Sequence, residues 1–337
     1  MPDFVYPTNA QLQQIAQVML PRFRAGRVGL DLFPEQNVET HILEWEQLDD
    51  FIGLQNVRGL NGEPTRVKPT GLKRYLMQPG VYGEYGFIDE LELTTRRQVG
   101  QFSGPIDITD LVRIRQDQLL TRRLDRMELI IWTLLIAGTF SVADGASVLH
   151  TDSYTFQTFS ASVPWGTVAT ATPLADIRAT QLKSRGYSVN FGPTATIYMN
   201  RVTFNQILSN LNAADLYGRK AEFGATINGP ADLNRILAGE GLPGIEIYDR
   251  GYKDATGTWT LFIPDNKAVL IGARDDGARV GEYRMTRNAN NPGMAPGAYM
   301  KVIDRGEDQV PRSIEVHDGH SGGPVIFYPS AVVVMTV

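Results

Sequence analysis

Residues 317–337, HDGHSGGPVIFYPSAVVVMTV, hold the stretch with the most chemical promise. Ser321-Gly322-Gly323-Pro324 spells the tetrapeptide on which trypsin-like serine proteases carry their nucleophile. That chemistry needs a histidine to take the hydroxyl proton and an aspartate to orient the histidine. The chain has four histidines, His41, His150, His317 and His320, and none lies between 151 and 316, where a first barrel would have to present one. His320 stands before the serine where the protease pattern has aspartate, and the 16 residues after Ser321 are too few to finish a second barrel. The stretch is therefore read as a glycine-rich turn entering the last strand. Ser321 is not expected to be catalytic.

Other site chemistry fares no better. His317 and His320 have a spacing open to metal ligation, but no third ligand is near them in sequence and no cysteine exists to supply a thiolate. Gly80, Gly83 and Gly86 do not sit between a strand and a helix, as a dinucleotide-binding loop requires. No Gly-Lys dipeptide occurs, which excludes a P-loop. The reading is of a protein with no catalytic, cofactor or metal residue.

The elements that would have to position such residues are more informative. Thr8 and Gln11 have capping-box spacing ahead of Leu12, Ile15 and Met19, predicting a short helix that Pro21 stops. Residues 45–100 are punctuated by glycine and proline and read as long hairpin strands with too few apolar residues for a core of their own. Residues 108–137 form the strongest element, with Leu120, Leu124, Met127, Ile131 and Leu134 as an apolar stripe at helical spacing. Thr109 is read as its cap and Gly138 as its end. Its arginines, Arg113, Arg115, Arg122, Arg123 and Arg126, alternate with acids and are read as salt-bridged on a solvated or subunit-contacting face.

Beyond it, Tyr154, Phe156 and Phe159 alternate as in a strand. Helices are expected over 174–185, 203–211 and 233–237, with strands over 194–199, 245–248, 259–263 and 267–271. The strands 245–248 and 259–263 flank a turn at 253–257, and the valine-dense run 325–337 reads as a closing strand.

With 32 basic and 37 acidic residues the net charge is −5, which argues against a dedicated nucleic-acid binder. The N-terminus shows no secretory pattern, no stretch has about 18 uncharged apolar residues, and the expectation is a reducing, aqueous compartment without membrane contact. Against that acidity, residues 54–77 carry Arg58, Arg66, Lys68, Lys73 and Arg74 with only Glu63, a local charge of +4.

The order of these elements resembles the tailed-bacteriophage major capsid proteins of the lambda-type capsid protein E group, with the HK97-like fold. Pro79-Gly80 through Phe87-Ile88 and Glu92-Leu93-Thr94 are similar to the return strand of that family's extended E-loop and the connection beyond it. Arg122 to Glu128, continuing to Gly138, resembles its spine helix. Ala195–Asn200 with Phe204 and Leu208 resembles the opening of its axial (A) domain. Ile263–Asn266 leading into Val269–Ile271 resembles its late hairpin, and Pro324–Ile326 its closing peripheral (P) domain strand.

The resemblance implies an α+β HK97-like capsid fold. Its parts would be an N-terminal arm (1–44), an E-loop (45–100), a P-domain (101–168), an A-domain (169–305) and P-domain closing strands (306–337). It implies a major capsid protein that self-assembles through hexamers and pentamers into an icosahedral shell around double-stranded DNA. The shell would be built in the host cytoplasm and contact its DNA non-specifically. A separate scaffolding protein, a portal and a decoration protein are the expected partners. Arg58, Arg66, Lys68, Lys73 and Arg74 are then expected at an intersubunit contact. An encapsulin-like bacterial compartment shares the fold and is the alternative; a serine hydrolase using Ser321 is the remaining one.

Overall fold

The computed structural model describes residues 4–48, 54–67, 71–95, 106–144, 147–215, 229–254, 256–274, 277–306 and 310–337. The chain opens with β1 (Phe4–Val5), α1 (Asn9–Arg24), α2 (Val28–Leu32), β2 (Glu35–Asn37) and β3 (Leu43–Leu48). Next come β4 (Leu72–Met77), β5 (Gly80–Ile88), α3 (Glu90–Thr95), β6 (Ile106–Asp107) and the long helix α4 (Thr109–Ala137). Then follow β7 (Thr139–Asp144), β8 (Ser147–Ser153), β9 (Gln157–Ser160), α5 (Pro173–Gln181), β10 (Val189–Asn190), β11 (Thr196–Met199), α6 (Arg201–Asp215) and α7 (Pro230–Gly239). The last third is nearly all strand: β12 (Gly244–Ile247), β13 (Gly251–Lys253), β14 (Trp259–Leu261), β15 (Lys267–Ile271), β16 (Ala273–Arg274) and β17 (Gly281–Met285). It ends with β18 (Tyr299–Asp304), β19 (Ile314–Ile326) and β20 (Val332–Thr336).

Two compact units emerge, each built from discontinuous chain. The first comprises residues 1–43, 77–130 and 283–324, and the second 44–76, 131–282 and 325–337. In the first, β19 is the central strand. It pairs antiparallel with β18 from Tyr299↔Gly319 to Asp304↔Ile314, and with β5 from Gly80↔Gly322 to Ile88↔Ile314. β17 and β2 extend the sheet, and β2 pairs with β17 in parallel. Leu12, Ile88, Leu93, Ile108, Val112, Leu119, Met300, Ile314 and Val316 form the core of this unit. In the second unit the sheet order is β12-β11-β15-β20-β9, and Ala268–Leu270 and Val332–Met335 are all buried. A strand buried on both faces needs no alternation, which is why the C-terminal valines read as one continuous apolar run.

The chain's local signals explain most boundaries. Thr8 and Gln11 do form a capping box, with Gln11 Oε1 accepting from Thr8 N at 2.9 Å. Pro21 does not stop that helix, which runs on to Arg24. In the last turn a proline forfeits a single backbone donor, and Ala25 N closes the turn on Pro21 O at 3.1 Å. α4 spans 29 residues, a rod of roughly 44 Å at about 1.5 Å per residue. Its cap is Asp107, whose carboxylate accepts from Thr109 N at 2.9 Å, rather than Thr109 itself. Gly138 ends it at φ +69°, where a Cβ would lie 2.6 Å from Tyr154 O.

Several expectations are corrected. Gly80–Ile88 is not the return strand of a loop hairpin; it is β5 of the first unit's sheet, and the hairpin is β3 with β4. The partner of β14 across the turn at 254–258 is β13, because β12 is taken up in parallel by β11. β17 and β18, inside the range read as A-domain, belong to the sheet of β19. The terminal strand Val332–Thr336 joins the other sheet, between β15 and β9, instead of closing the first.

Leu120, Leu124, Met127, Ile131 and Leu134 are all buried, as are Ile130, Trp132 and Leu135, so the last turns of α4 are enclosed well beyond one stripe. Trp132 stacks on Tyr248 with ring centroids 5.3 Å apart. An aspartate at Ile131 would be an unpaired charge in that packing, costing several kcal/mol. Ile131→Asp should leave the protein insoluble or unfolded on expression, checked by solubility and circular dichroism.

Candidate assembly surface

Ser321 lies inside β19, paired with Val81, and not in a turn. The stretch from His317 to Pro324 is strand throughout, so the turn expected there is corrected. Its glycines serve close approach: a Cβ on Gly322 would lie 2.4 Å from Arg284 O, and one on Gly319 2.5 Å from Tyr82 O. Ser321 is buried and its hydroxyl accepts from Asn288 Nδ2 at 3.1 Å. His320 points to the opposite face, since neighbours on a strand alternate. Its Nε2 meets the Tyr283 hydroxyl at 3.0 Å, and its ring stacks on Tyr82 at 5.1 Å. No base therefore faces the serine.

His317 and His320, three apart on one strand, also point to opposite faces and cannot share a metal. His317 bonds Glu315 at 2.8 Å and stacks on Tyr85. Among the described residues no group of three His, Asp or Glu side chains is arranged for a metal ion. None of the described helices is long and apolar enough to cross a membrane.

The salt bridges expected along α4 are present for Arg115, Arg122 and Arg123, each to an acid of the first unit, while Arg113, Arg122 and Arg126 lie on its exposed face. Asp125 accepts from the buried Arg27, with Nε at 3.1 Å. Glu128 is fully buried, and its two oxygens accept from Gly29 N at 2.8 Å and Leu30 N at 3.1 Å at the start of α2. Arg115 grips Glu92 on α3 at 2.7 and 3.0 Å. Arg122 holds Glu84 on β5 through Nη2 at 2.8 Å, and that hydrogen bond keeps the Glu84 carboxyl below its usual range. Arg123 forks onto both oxygens of Asp318, at 3.0 and 2.8 Å. Burial pushes the Asp318 carboxyl upward, and Arg123 opposes that push.

The expected contact residues divide. Arg58 and Arg66 stand exposed on the segment 54–67. Gly62 N closes a turn on Gly59 O at 3.0 Å, and Arg58 Nη1 donates to Gly62 O at 3.0 Å. Lys68 lies outside the described residues. Lys73 is exposed on β4, and Arg74 is paired across the hairpin with Glu44 of β3. The hairpin base is fixed by Trp45, which stacks on Tyr75 at 5.4 Å and on Tyr154 at 6.2 Å and donates from Nε1 to Ile326 O at 2.9 Å. Sequence reasoning missed what surrounds the arginines: Leu54, Val57 and Leu60 are 99, 99 and 101% exposed. The signal was present as three apolar residues in a stretch without helical or strand periodicity.

The described residues combine a long helix, two five-stranded sheets and a charged loop whose Leu54, Val57 and Leu60 are almost fully exposed. A family profile described as phage major capsid protein E matches residues 10–310. The chain belongs to that family. It is a major capsid protein, and copies of it form an icosahedral head shell. None of the curated proteins matches it in sequence.

Solved structures share the fold at low identity. One described as a prophage capsid protein of E. coli CFT073 superposes with TM-score 0.60 at 15% identity, covering 99% of both chains. A phage-related protein from Bordetella bronchiseptica RB50 gives TM-score 0.54 at 11% identity, over 98% of this chain and 97% of that one. The capsid of a native GTA particle gives TM-score 0.53 at 11% identity, over 92% and 89%.

Ser321→Ala removes one acceptor and leaves a buried amide donor unpaired, about 1–3 kcal/mol. The variant should fold and assemble with a lowered melting temperature, and a fluorophosphonate probe should label neither it nor the wild type.

Proposed function

We propose that the segment 54–67 is the contact through which each subunit of the head shell grips an adjacent one. The observation that carries this is the complete exposure of Leu54, Val57 and Leu60 beside Arg58 and Arg66. Magnitudes decide what each group contributes. Burying a leucine or valine fully stabilises by about 1.5–3 kcal/mol, whereas an exposed ion pair gives about 0.2–1 kcal/mol. The apolar side chains hold the contact, and the arginines steer it toward an acidic neighbour and set its register. Lys68 and Lys73 add to the same positive field, and Arg74 contributes chiefly by tying the hairpin to Glu44.

In this reading residues 1–43 are the arm, 44–76 the E-loop, 77–130 with 283–324 the P-domain, and 131–282 with the terminal strand the A-domain. The shell encloses double-stranded DNA, and the chain's net charge of −5 keeps contact with that DNA weak and non-specific. Assembly in the host cytoplasm around a separate scaffolding protein, with a portal and a decoration protein added, completes the proposal.

Replacing Leu54, Val57 and Leu60 together with serine removes no intrachain packing, so the subunit should stay folded and soluble. Closed shells should be lost, read by sedimentation and negative-stain microscopy. Wild-type shell yield from that variant would sink the assignment. Arg58→Glu with Arg66→Glu should instead slow assembly several-fold and reduce its dependence on salt, followed by light scattering at two ionic strengths.

A further inference from the structure

The polar cluster around His320 has no part in the loop contact, and its composition is unusual. The imidazole is 1% exposed near the Gly80–Gly322 end of the β5–β19 seam, where Tyr82 of β5 is its cross-strand partner. Nε2 is taken by the Tyr283 hydroxyl, while Nδ1 meets no protein partner among the described residues. The charged groups around it are mostly of the wrong sign for an imidazolium. Arg123 and Arg126 of α4 both act on the ring electrostatically and disfavour its protonation.

The acids nearby are engaged. Asp318, on the same face of β19, is forked by Arg123, and Glu84 of β5 is held by Arg122. Tyr82 from β5 and Tyr283 from β17 are phenols whose burial pushes them upward, Tyr82 to about 12, so neither supplies a negative charge near neutral pH. Glu35 of β2 also acts on Tyr283, and its buried Oε1 meets no partner among the described residues.

We propose that the β5–β19 seam is an acid-released latch, in which protonation of the buried His320, stacked on Tyr82 and bonded to Tyr283, adds a cation to a site already in the field of Arg123 and Arg126 and separates Gly80–Ile88 from Ile314–Gly322. Burial first, then Arg123 and Arg126, lowers the pKa of His320 from 6.5 to about 3. The opened seam, with the ring in water, binds the proton near 6.5, so between these values the open state holds more protons than the closed one. The seam is fully stable above pH 6.5, weakens progressively as pH falls, and has lost this contribution below about 3. Each pH unit in that window multiplies the open population by about ten, giving about 100-fold at pH 4.5. Glu84, lowered by Arg122, loses stabilisation in the same direction as pH falls. Asp318, raised by burial, works in the opposite sense, gaining stabilisation as pH falls. Both acids remain when His320 is replaced, so they cancel in a comparison of the two proteins.

The latch is independent of the proposed loop contact, because its readout is exchange within the chain and not shell yield. Hydrogen exchange of the full-length protein should be followed by mass spectrometry from pH 7.5 to 4, with labelling times scaled to the intrinsic rate. Peptides covering 80–88 and 314–322 should lose protection on acidification before peptides covering 267–271 and 332–336. His320→Gln, which retains a partner for Tyr283 and cannot titrate, should match the wild type at pH 7.5 and keep the seam protected to lower pH. Arg126→Gln, altered at an exposed position, should also move the midpoint down by relieving one repulsion. An unchanged midpoint in either variant, or loss of protection that is uniform along the chain, overturns the proposal. If His320→Gln fails to fold, the Arg126→Gln midpoint alone decides.

Discussion

The structure of the first unit depends on burying charged side chains of α4 against partners distant in sequence. Glu128 spends both carboxylate oxygens on the two amides that open α2, and Asp125 neutralises Arg27 beside it. Lower on the same helix, Arg123, Arg122 and Arg115 each hold one acid, on β19, β5 and α3 respectively. Removing one member of a buried set such as Arg123–Asp318 costs about 3–5 kcal/mol, whereas the exposed Arg122–Glu84 pair contributes about 0–1 kcal/mol. The helix therefore does more than offer an apolar stripe. It fixes the register of strands and helices that would otherwise slide.

β19 shows the same principle in backbone form. Its thirteen residues carry three strand partners, β5, β18 and β17, and a string of small residues lets them approach. Gly319 lies under Tyr82 O, and Gly322 under Arg284 O, so a side chain at either point would push a neighbouring strand away. The sequence Gly319-His320-Ser321-Gly322-Gly323 resembles a catalytic turn because glycine is required in both settings. In a turn glycine supplies conformational freedom; here it supplies room.

The loop at 54–67 is the opposite case, a segment whose side chains are placed and unpacked at once. Its root is secured by an aromatic stack of Trp45, Tyr75 and Tyr154 and by the Trp45 indole bond to Ile326 O. Beyond that root the leucines and valine meet only solvent, an arrangement that an isolated chain would not favour and an assembled one explains. A contact made of modest contributions suits a shell, because closure repeats it in every subunit and small gains per contact accumulate.

The sequence by itself determined the long helix to within a residue at its start, the helix caps at Thr8 and Gly138, the burial of Leu120 through Leu134, and the strands at 196–199 and 267–271. Each of these rests on periodicity or on a cap a few residues away, interactions written within a single stretch of chain. It also argued against a trypsin-like role for Ser321, since that argument needed only the positions of the four histidines. Tertiary structure alone decided which strands pair. It placed Gly80–Ile88 on β19 and sent Val332–Thr336 to the other sheet, and it set Arg123, Asp125 and Glu128 of α4 against partners as far off as 195 residues. It likewise brought Tyr82 and Tyr283 from two other strands against the buried ring of His320. A strand's hydrogen-bonding edge is the same for every sequence, and a charged side chain records its charge but not its partner. Those choices are settled only when the chain has folded and each alternative pairing has been weighed against the burial it would forfeit.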